Sequence, residues 1–117
     1  MGKFMDLKVW QKSKQAAIDI YKLTNAGKFE RDYRFKNQIR AAAVSVPSNI
    51  AEGDELQTNK QAVRHFYIAK GSCAEVITQL IIAYEIGYIS KETLDVSLSN
   101  YQHISHMLAR LIIARTK

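Results

Sequence analysis

The chain has 117 residues, which is enough for one domain, and its single cysteine, Cys73, excludes an intramolecular disulfide or a cysteine-based zinc cage. Hydrophobic residues make up 47% and charged residues 24%, so the composition favours a packed core over a disordered chain. The net charge of +6 lies in residues 1–40, which hold ten Lys and Arg against four Asp and Glu; residues 41–117 hold seven of each. This bias suits a polyanion such as nucleic acid, or else a solvated lysine-rich face that serves solubility.

One proline and five glycines in the whole chain favour a few long elements, and Ala, Leu, Ile, Lys and Gln are abundant in them. The N-terminal residues show no signal-peptide pattern, and no stretch approaches the roughly 18 uncharged apolar residues of a membrane span. We therefore expect a cytoplasmic, all-α protein with no membrane contact. The spacing predicts one domain, residues 1–117, folded as an antiparallel up-down-up-down four-helix bundle.

The first helix is predicted from Asp6, as its cap, to Thr24, and Gly27 can adopt the left-handed conformation that ends a helix. Its inner face is predicted as Leu7, Trp10, Ala17 and Tyr21. A connection over residues 28–32 follows.

The second helix is predicted from Tyr33 to Glu52, with a kink at Pro47 and a stop at Gly53. A helix broken at Pro47 is the alternative. The apolar spacing continues beyond the proline, which favours one kinked helix; its predicted stripe is Phe35, Ile39, Ala42, Ala43, Val46 and Ile50.

The third helix opens on a Thr58-x-x-Gln61 capping box and ends at Gly87. Its bundle seam is predicted as Ala62, Phe66, Ala69, Cys73, Val76, Leu80 and Tyr84. A second apolar stripe requires a second covering surface, which we assign to another subunit; this predicted oligomer interface is Val63, Tyr67, Ala74, Ile77 and Ile81.

The fourth helix is predicted from a Ser90 cap to Arg115. Its predicted inner face is Leu94, Leu98, Tyr101, Leu108, Leu111 and Ile112.

Polar residues inside the second and third helices are predicted to form a structural hydrogen-bond network that fixes the register of helices or subunits. The alternative is a polar binding site. The mid-helix Gly71 suggests that another backbone approaches closely there. The predicted network is Ser45, Ser48, Asn49, Glu52, Ser72, Glu75 and Gln79.

No catalytic residues, cofactor or metal site are predicted. The Glu-x-x-His pairs of di-iron bundles are absent, and His103 with His106 lacks a third ligand, so a metal-dependent enzyme is a remote option. Cys73 falls on the apolar seam, and Ser45 and Ser48 have no assignable His–Asp relay. We therefore expect a protein that is not an enzyme.

Six cations are candidates for nucleic-acid binding: Lys8, Lys12, Arg31, Arg34, Lys36 and Arg40. Lys8 with Lys12, and Lys36 with Arg40, are spaced to share helix faces away from the apolar stripes. Tyr33 and Phe35 interleave with the arginines and could stack on bases, unless they are core residues at a helix start.

Three stretches of the chain carry a family resemblance: residues 4–12, residues 38–53 with Ser45-Val46-Pro47-Ser48-Asn49-Ile50-Ala51-Glu52-Gly53, and residues 68–80. They resemble bacterial four-helix-bundle proteins encoded in 23S ribosomal RNA intervening sequences, and the chain is similar to accessory proteins of diversity-generating retroelements. The resemblance implies a homopentameric barrel, a proline accommodated inside the second helix, and no enzymatic activity. For the retroelement relatives it also implies an RNA-binding surface and a reverse-transcriptase partner.

The sequence thus predicts a non-enzymatic, self-assembling scaffold that binds nucleic acid, RNA in particular, through the first two helices. The alternative is a protein-interaction adaptor that docks a partner enzyme such as a reverse transcriptase and has little affinity for nucleic acid itself.

Overall fold

Four long helices form the molecule, and the computed structural model describes residues 3–116. After a 3-10 turn at Lys3–Asp6, the helices are α1 (Lys8–Leu23), the short α2 (Gly27–Arg31), α3 (Tyr33–Glu55), α4 (Asn59–Glu85) and α5 (Lys91–Arg115). The described residues contain no strand, and the predicted all-α class and four long helices are confirmed. The bundle is elongated, 44 × 22 × 20 Å.

Around the bundle the long helices follow the order α1, α3, α4, α5, and α5 closes back on α1. The predicted stripe of α3 is confirmed, because Ile39, Ala43, Val46 and Ile50 are fully buried. The predicted seam of α4 is buried from Ala62 to Leu80, but its last predicted member, Tyr84, is exposed. Helix α5 adds a fully buried residue that the prediction omitted, Ile104.

The predicted inner face of α1 is wrong in part. The buried residues are Val9, Ser13, Ala16, Ala17 and Ile20, whereas the ring of Tyr21 is 43% exposed. Leu7 and Trp10 are half-buried at the edge of the core. The prediction followed the largest side chains, but the face that packs is rotated toward small ones, which let α1 lie close to α3.

The ends of α1 and α3 also differ from the prediction. Asp6 belongs to the 3-10 turn and Leu7 precedes α1, so no side chain caps that helix. The connection over residues 28–32 contains α2, which begins at Gly27 with a φ of 61°. Helix α3 continues through Gly53 to Glu55, and Pro47 lies buried within it. The broken-helix alternative is therefore wrong.

The predicted ends of α4 and α5 are confirmed by their hydrogen bonds. Thr58 Oγ1 accepts from Gln61 N at 3.2 Å, and Ser90 Oγ accepts from Thr93 N at 3.1 Å. Gly87 has a φ of 81°, and the amides of Gly87 and Tyr88 donate to the carbonyls of Tyr84 and Ala83. This is the Schellman arrangement, which satisfies the last carbonyls of a helix.

By length and composition α4 is apolar enough to cross a bilayer, and it is the one helix of the described chain with that property. In the bundle its apolar seam packs between α3 and α5. A core helix of a bundle meets the same criterion, so the feature carries no further conclusion.

Candidate nucleic-acid interface

The six candidate cations fall into two groups. Lys8 and Lys12 lie near the start of α1, where Lys8 lines an apolar pocket with Arg110 of α5. Lys36 and Arg40 lie near the start of α3, and the Arg40 guanidinium reaches the end of α1. Along the axis of α1, that end is about 20 Å from Lys8 and Lys12. The cations therefore form two separate basic surfaces rather than one.

We name the surface near the start of α3 the basic corner. It consists of Arg31, Arg34 and Lys36, at the junction of α2 and α3. Arg31 and Arg34 are exposed and Lys36 is half-buried. Within residues 3–116 the ion pairs are Lys91–Asp95 and Arg115–Asp54, so no carboxylate neutralises the corner at ion-pair distance. An unpaired, solvated cation can exchange a counterion for a phosphate at little cost.

Asp32 lies between these cations but its carboxylate is engaged elsewhere. One oxygen accepts from Phe35 N at 3.2 Å and caps α3, and the other accepts from the Tyr88 hydroxyl at 2.8 Å. The hydrogen bond to Asp32 raises the pKa of Tyr88 above its ordinary value, with burial as a smaller cause. Asp32 therefore serves the fold, whereas Glu30, beside Arg31 on α2, is exposed.

Arg40 has a structural role that the sequence did not reveal. Its Nε donates to Thr24 Oγ1 at 2.8 Å, and its Nη2 donates to the Tyr21 carbonyl at 3.2 Å and to Asn25 Oδ1 at 3.1 Å. Thr24 in turn donates to the Ile20 carbonyl. Arg40 therefore fastens the last turn of α1 to α3, and its guanidinium is largely committed to that contact.

The aromatic residues at this end of the bundle separate into buried and exposed rings. Phe29, Phe35 and Tyr88 form a cluster, with ring centroids 5.2 Å apart for Phe29–Phe35 and 5.3 Å for Phe29–Tyr88. Tyr33 is 69% exposed, and Lys36 Nζ lies 4.9 Å from its ring centroid. Of the two aromatics predicted as base-stacking candidates, Phe35 packs in the cluster and Tyr33 faces solvent.

Residues 5–110 match the family model described as the 23S rRNA-intervening sequence protein. The chain belongs to this family. The match covers most of the sequence and includes the basic corner and both helices that hold Arg40 in place. The resemblance seen in the sequence motifs is thereby confirmed.

The fold of this intervening-sequence protein is also found in a solved structure. That structure is a protein of unknown function from the S23 ribosomal protein family of Bacteroides thetaiotaomicron VPI-5482. The two share 22% sequence identity with a TM-score of 0.82, over 89% of this chain and 97% of the other. At that identity the likeness establishes the fold. The chain has no match among curated proteins.

Polar side chains cross the contact between α3 and α4. Ser72 Oγ donates to Ser45 Oγ at 2.9 Å, and Asn49 Nδ2 donates to the Ser45 carbonyl at 2.9 Å and to its Oγ at 3.1 Å. His65 Nδ1 lies 3.0 Å from Asn49 Oδ1 and donates to it, because the Asn49 amide nitrogen is already a donor. His65 was not among the predicted network residues, because spacing within one helix does not show which residue of the next helix lies opposite.

The other predicted network residues are placed differently. Ser48, Glu52 and Glu75 are exposed, and Gln79 is buried with its Oε1 lacking a hydrogen-bond partner in the described part of the chain. The observed network thus joins Ser45, Asn49 and Ser72 with His65, and leaves three predicted members on the surface.

The outer surface of α4 carries exposed apolar residues. Of the predicted oligomer interface, Tyr67, Ala74 and Ile81 are exposed, whereas Val63 and Ile77 are half-buried against the protein's own core. Ile68 and Ile82, which the prediction omitted, are each 45% exposed. Gly71 lies between them along the helix, and a Cβ built there meets no atom within 4 Å. Any backbone that approaches Gly71 therefore belongs to another molecule.

The groups that could carry chemistry are few. Burial raises the pKa of the Cys73 thiol to about 12, so it is protonated at neutral pH and is a weak nucleophile. His103 and His106 are exposed, and the described residues contain no cluster of three or more metal-ligating side chains.

Proposed function

We propose that this protein is a non-enzymatic, self-assembling scaffold that binds RNA through the basic corner. The observation that carries the proposal is the basic corner itself, in which Arg31, Arg34 and Lys36 follow one another closely along the α2–α3 junction with no carboxylate at ion-pair distance in residues 3–116. The engagement of Asp32 by Tyr88 and by the α3 backbone supports it. RNA is favoured as the polyanion because the family is named for a 23S rRNA intervening sequence.

Self-assembly strengthens this binding. The exposed apolar face of α4 is the kind of surface that another subunit covers, and the family resemblance implies a pentamer. Five copies at +6 each would carry +30 and would present five basic corners to one strand. Linked sites raise the effective affinity without any new contact.

RNA binding is tested by fluorescence anisotropy of a labelled single-stranded RNA across a series of salt concentrations. The wild-type protein should show a log–log slope of about 0.7 for each neutralised phosphate. The variant Arg31→Gln/Arg34→Gln/Lys36→Gln should lose about 2 from that slope for each basic corner that contacts the strand, since each cation is expected to account for about 0.7.

The matched control is Lys8→Gln/Lys12→Gln/Arg110→Gln, which removes the same charge from the surface shared by α1 and α5. It should lower affinity less than the corner variant and change the slope little. An equal or larger loss in the control would overturn the basic corner as the site, and salt-independent weak binding by the wild type would overturn RNA binding altogether. Arg40 is left unchanged because its loss would perturb the fold.

Self-assembly is tested by light scattering coupled to size-exclusion chromatography. A pentamer would have a mass of about 66 kDa, since one chain is 13.3 kDa. Ile68→Glu/Ile82→Glu should yield monomers, because charges would be buried in an apolar interface. Val96→Glu, at a site on α5 that is 63% exposed, is the control and should keep the wild-type mass. A wild-type monomer would refute assembly.

The adaptor function is a second candidate, favoured by a pocket at the other end of the bundle. This pocket of about 360 Å³ has apolar walls from Leu7, Met107 and Leu111, and Lys8 and Arg110 flank it. Such a site fits an acidic, apolar segment of a partner protein. Pull-down with and without nuclease separates the two functions: a partner retained after nuclease treatment supports the adaptor, and one lost with the RNA supports the scaffold.

A further inference from the structure

Two exposed tyrosines, each with a cation over its ring, lie on the outer surface of α1 and α3. Lys36 Nζ lies 4.9 Å from the ring centroid of Tyr33, and the Arg40 guanidinium carbon lies 4.4 Å from that of Tyr21. We name these four residues the aromatic–cation ladder. It shares Lys36 with the basic corner and continues from that corner along the bundle.

The ladder follows from helix geometry and from the Arg40 contact. Tyr33, Lys36 and Arg40 are three and then four residues apart, so they lie on one face of α3 over about 10 Å of its length. The hydrogen bond from Arg40 Nη2 to the Tyr21 carbonyl brings the end of α1 to that face. Tyr21 thereby extends the line that Tyr33 begins.

Both rings of the ladder are open to solvent, unlike the neighbouring aromatic rings. Tyr33 is 69% exposed and Tyr21 is 43% exposed, whereas Phe29 is fully buried in its cluster with Phe35 and Tyr88. A cation over an exposed ring contributes only about 0.5–1 kcal/mol, so the intramolecular contacts give little reason to keep two large rings in water. An exposed aromatic ring beside a cation is, however, the arrangement on which nucleic-acid bases stack.

We propose that the aromatic–cation ladder stacks unpaired bases, so that this protein selects single-stranded RNA over duplex. The inference rests on the proposed function, because it names the class of RNA that the same surface takes. Tyr33 and Tyr21 each stack on one base, and Lys36 with the basic corner contacts the phosphates between them. A duplex hides its base faces and offers only backbone charge, which the ladder cannot distinguish from any other polyanion.

The test compares three probes of equal length: a single-stranded oligouridylate, the same strand with abasic sugars, and an RNA duplex. Tyr33→Ala should weaken oligouridylate binding about five- to hundredfold, because stacking contributes about 1–3 kcal/mol per base. Its binding to the abasic strand and to the duplex should change less than about twofold. Tyr33→Phe keeps the ring and should bind all three probes like the wild type.

Tyr21→Ala should produce a similar selective loss, and its circular dichroism and thermal midpoint show whether the end of α1 has stayed folded. If the end of α1 has unfolded in Tyr21→Ala, then Tyr33→Ala is the deciding variant, because the Tyr33 side chain is mostly in solvent and its loss should not disturb the fold. Equal losses on all three probes, or no loss on oligouridylate, would overturn base stacking. Wild-type binding that is strong on all three probes supports the basic corner and refutes the ladder, whereas no binding to any probe refutes the proposed function itself.

Discussion

Replacing Gly53 by alanine tests the closest approach between α3 and α4. A Cβ at this position would lie 2.8 Å from Phe66 Cε1, 3.0 Å from the Ala62 carbonyl oxygen and 3.1 Å from His65 Cβ. Phe66 is fully buried, and the Ala62 oxygen belongs to the backbone of α4. The backbone of α4 must therefore shift away from α3.

The magnitude is a difference between two effects. Alanine is favoured over glycine within a helix by up to about 1 kcal/mol, and less near the helix end where Gly53 lies. Overpacking a filled core costs about 1–3 kcal/mol. We therefore expect Gly53→Ala to lower the free energy of unfolding by about 1–2 kcal/mol, and to lower the thermal midpoint by about 4–8 °C for each kcal/mol lost.

Gly71→Ala is the matched control, because a Cβ there meets no atom within 4 Å of its own chain. It should raise the free energy of unfolding by about 1 kcal/mol in the monomer. Both variants are measured by urea unfolding followed by circular dichroism, over a range of protein concentrations so that assembly is accounted for. If Gly53→Ala were stabilised as much as Gly71→Ala, the close packing at Gly53 would be wrong.

Three further predictions concern single side chains. Arg40→Ala should lower the free energy of unfolding by about 1–2 kcal/mol, because the hydrogen bonds from the guanidinium to the end of α1 are lost. Lys36→Ala should change it little. Equal effects of the two variants in urea unfolding would refute the role of Arg40 in holding α1 to α3. The Cys73 thiol should react slowly with a disulfide reagent at pH 8 in the folded protein and rapidly in urea, since burial raises its pKa to about 12; fast labelling of the folded state would contradict its burial. Because the pKa of Tyr88 is raised, its hydrogen bond to Asp32 contributes fully below pH 10 and is lost as the pH rises through the folded-state pKa. The stability advantage of the wild type over Tyr88→Phe, measured by urea titration, should therefore shrink above about pH 10. A difference that stays constant with pH would exclude this linkage.

The sequence predicted the apolar seams of α3 and α4 well because those helices are long and buried along one stripe. It placed Tyr21 in the core, since side-chain size and spacing cannot show that α1 turns its small residues inward. It also predicted that another backbone approaches Gly71 and that Gly53 ends its helix. Within the described chain, Gly53 is instead the point of close packing, and no atom approaches Gly71. A glycine in a helix marks a special site, but the pattern alone does not identify what approaches it.

The candidate site was predicted in composition but not in arrangement. Charge counting found the cations, yet only the fold shows that α1 carries Lys8 and Lys12 to the opposite end from Lys36. It also shows that Arg40 is engaged by Thr24 and its neighbours, sixteen residues away. Contacts at that sequence separation leave no periodic signal, so they cannot be predicted from the spacing of residues in the sequence.

Two polar contacts hold α3 at its opposite ends. Asp32, just before the helix, accepts from the Tyr88 hydroxyl at 2.8 Å, and Asp54, near its end, pairs with Arg115 at 2.7 Å. A slip of α3 by one residue would move it about 1.5 Å and would break both contacts together. The two contacts together therefore select one axial position of α3 in the bundle. Over the described residues, the side of the bundle where α1 meets α5 lacks such a contact and holds a groove of about 390 Å³, because these two helices pack less closely.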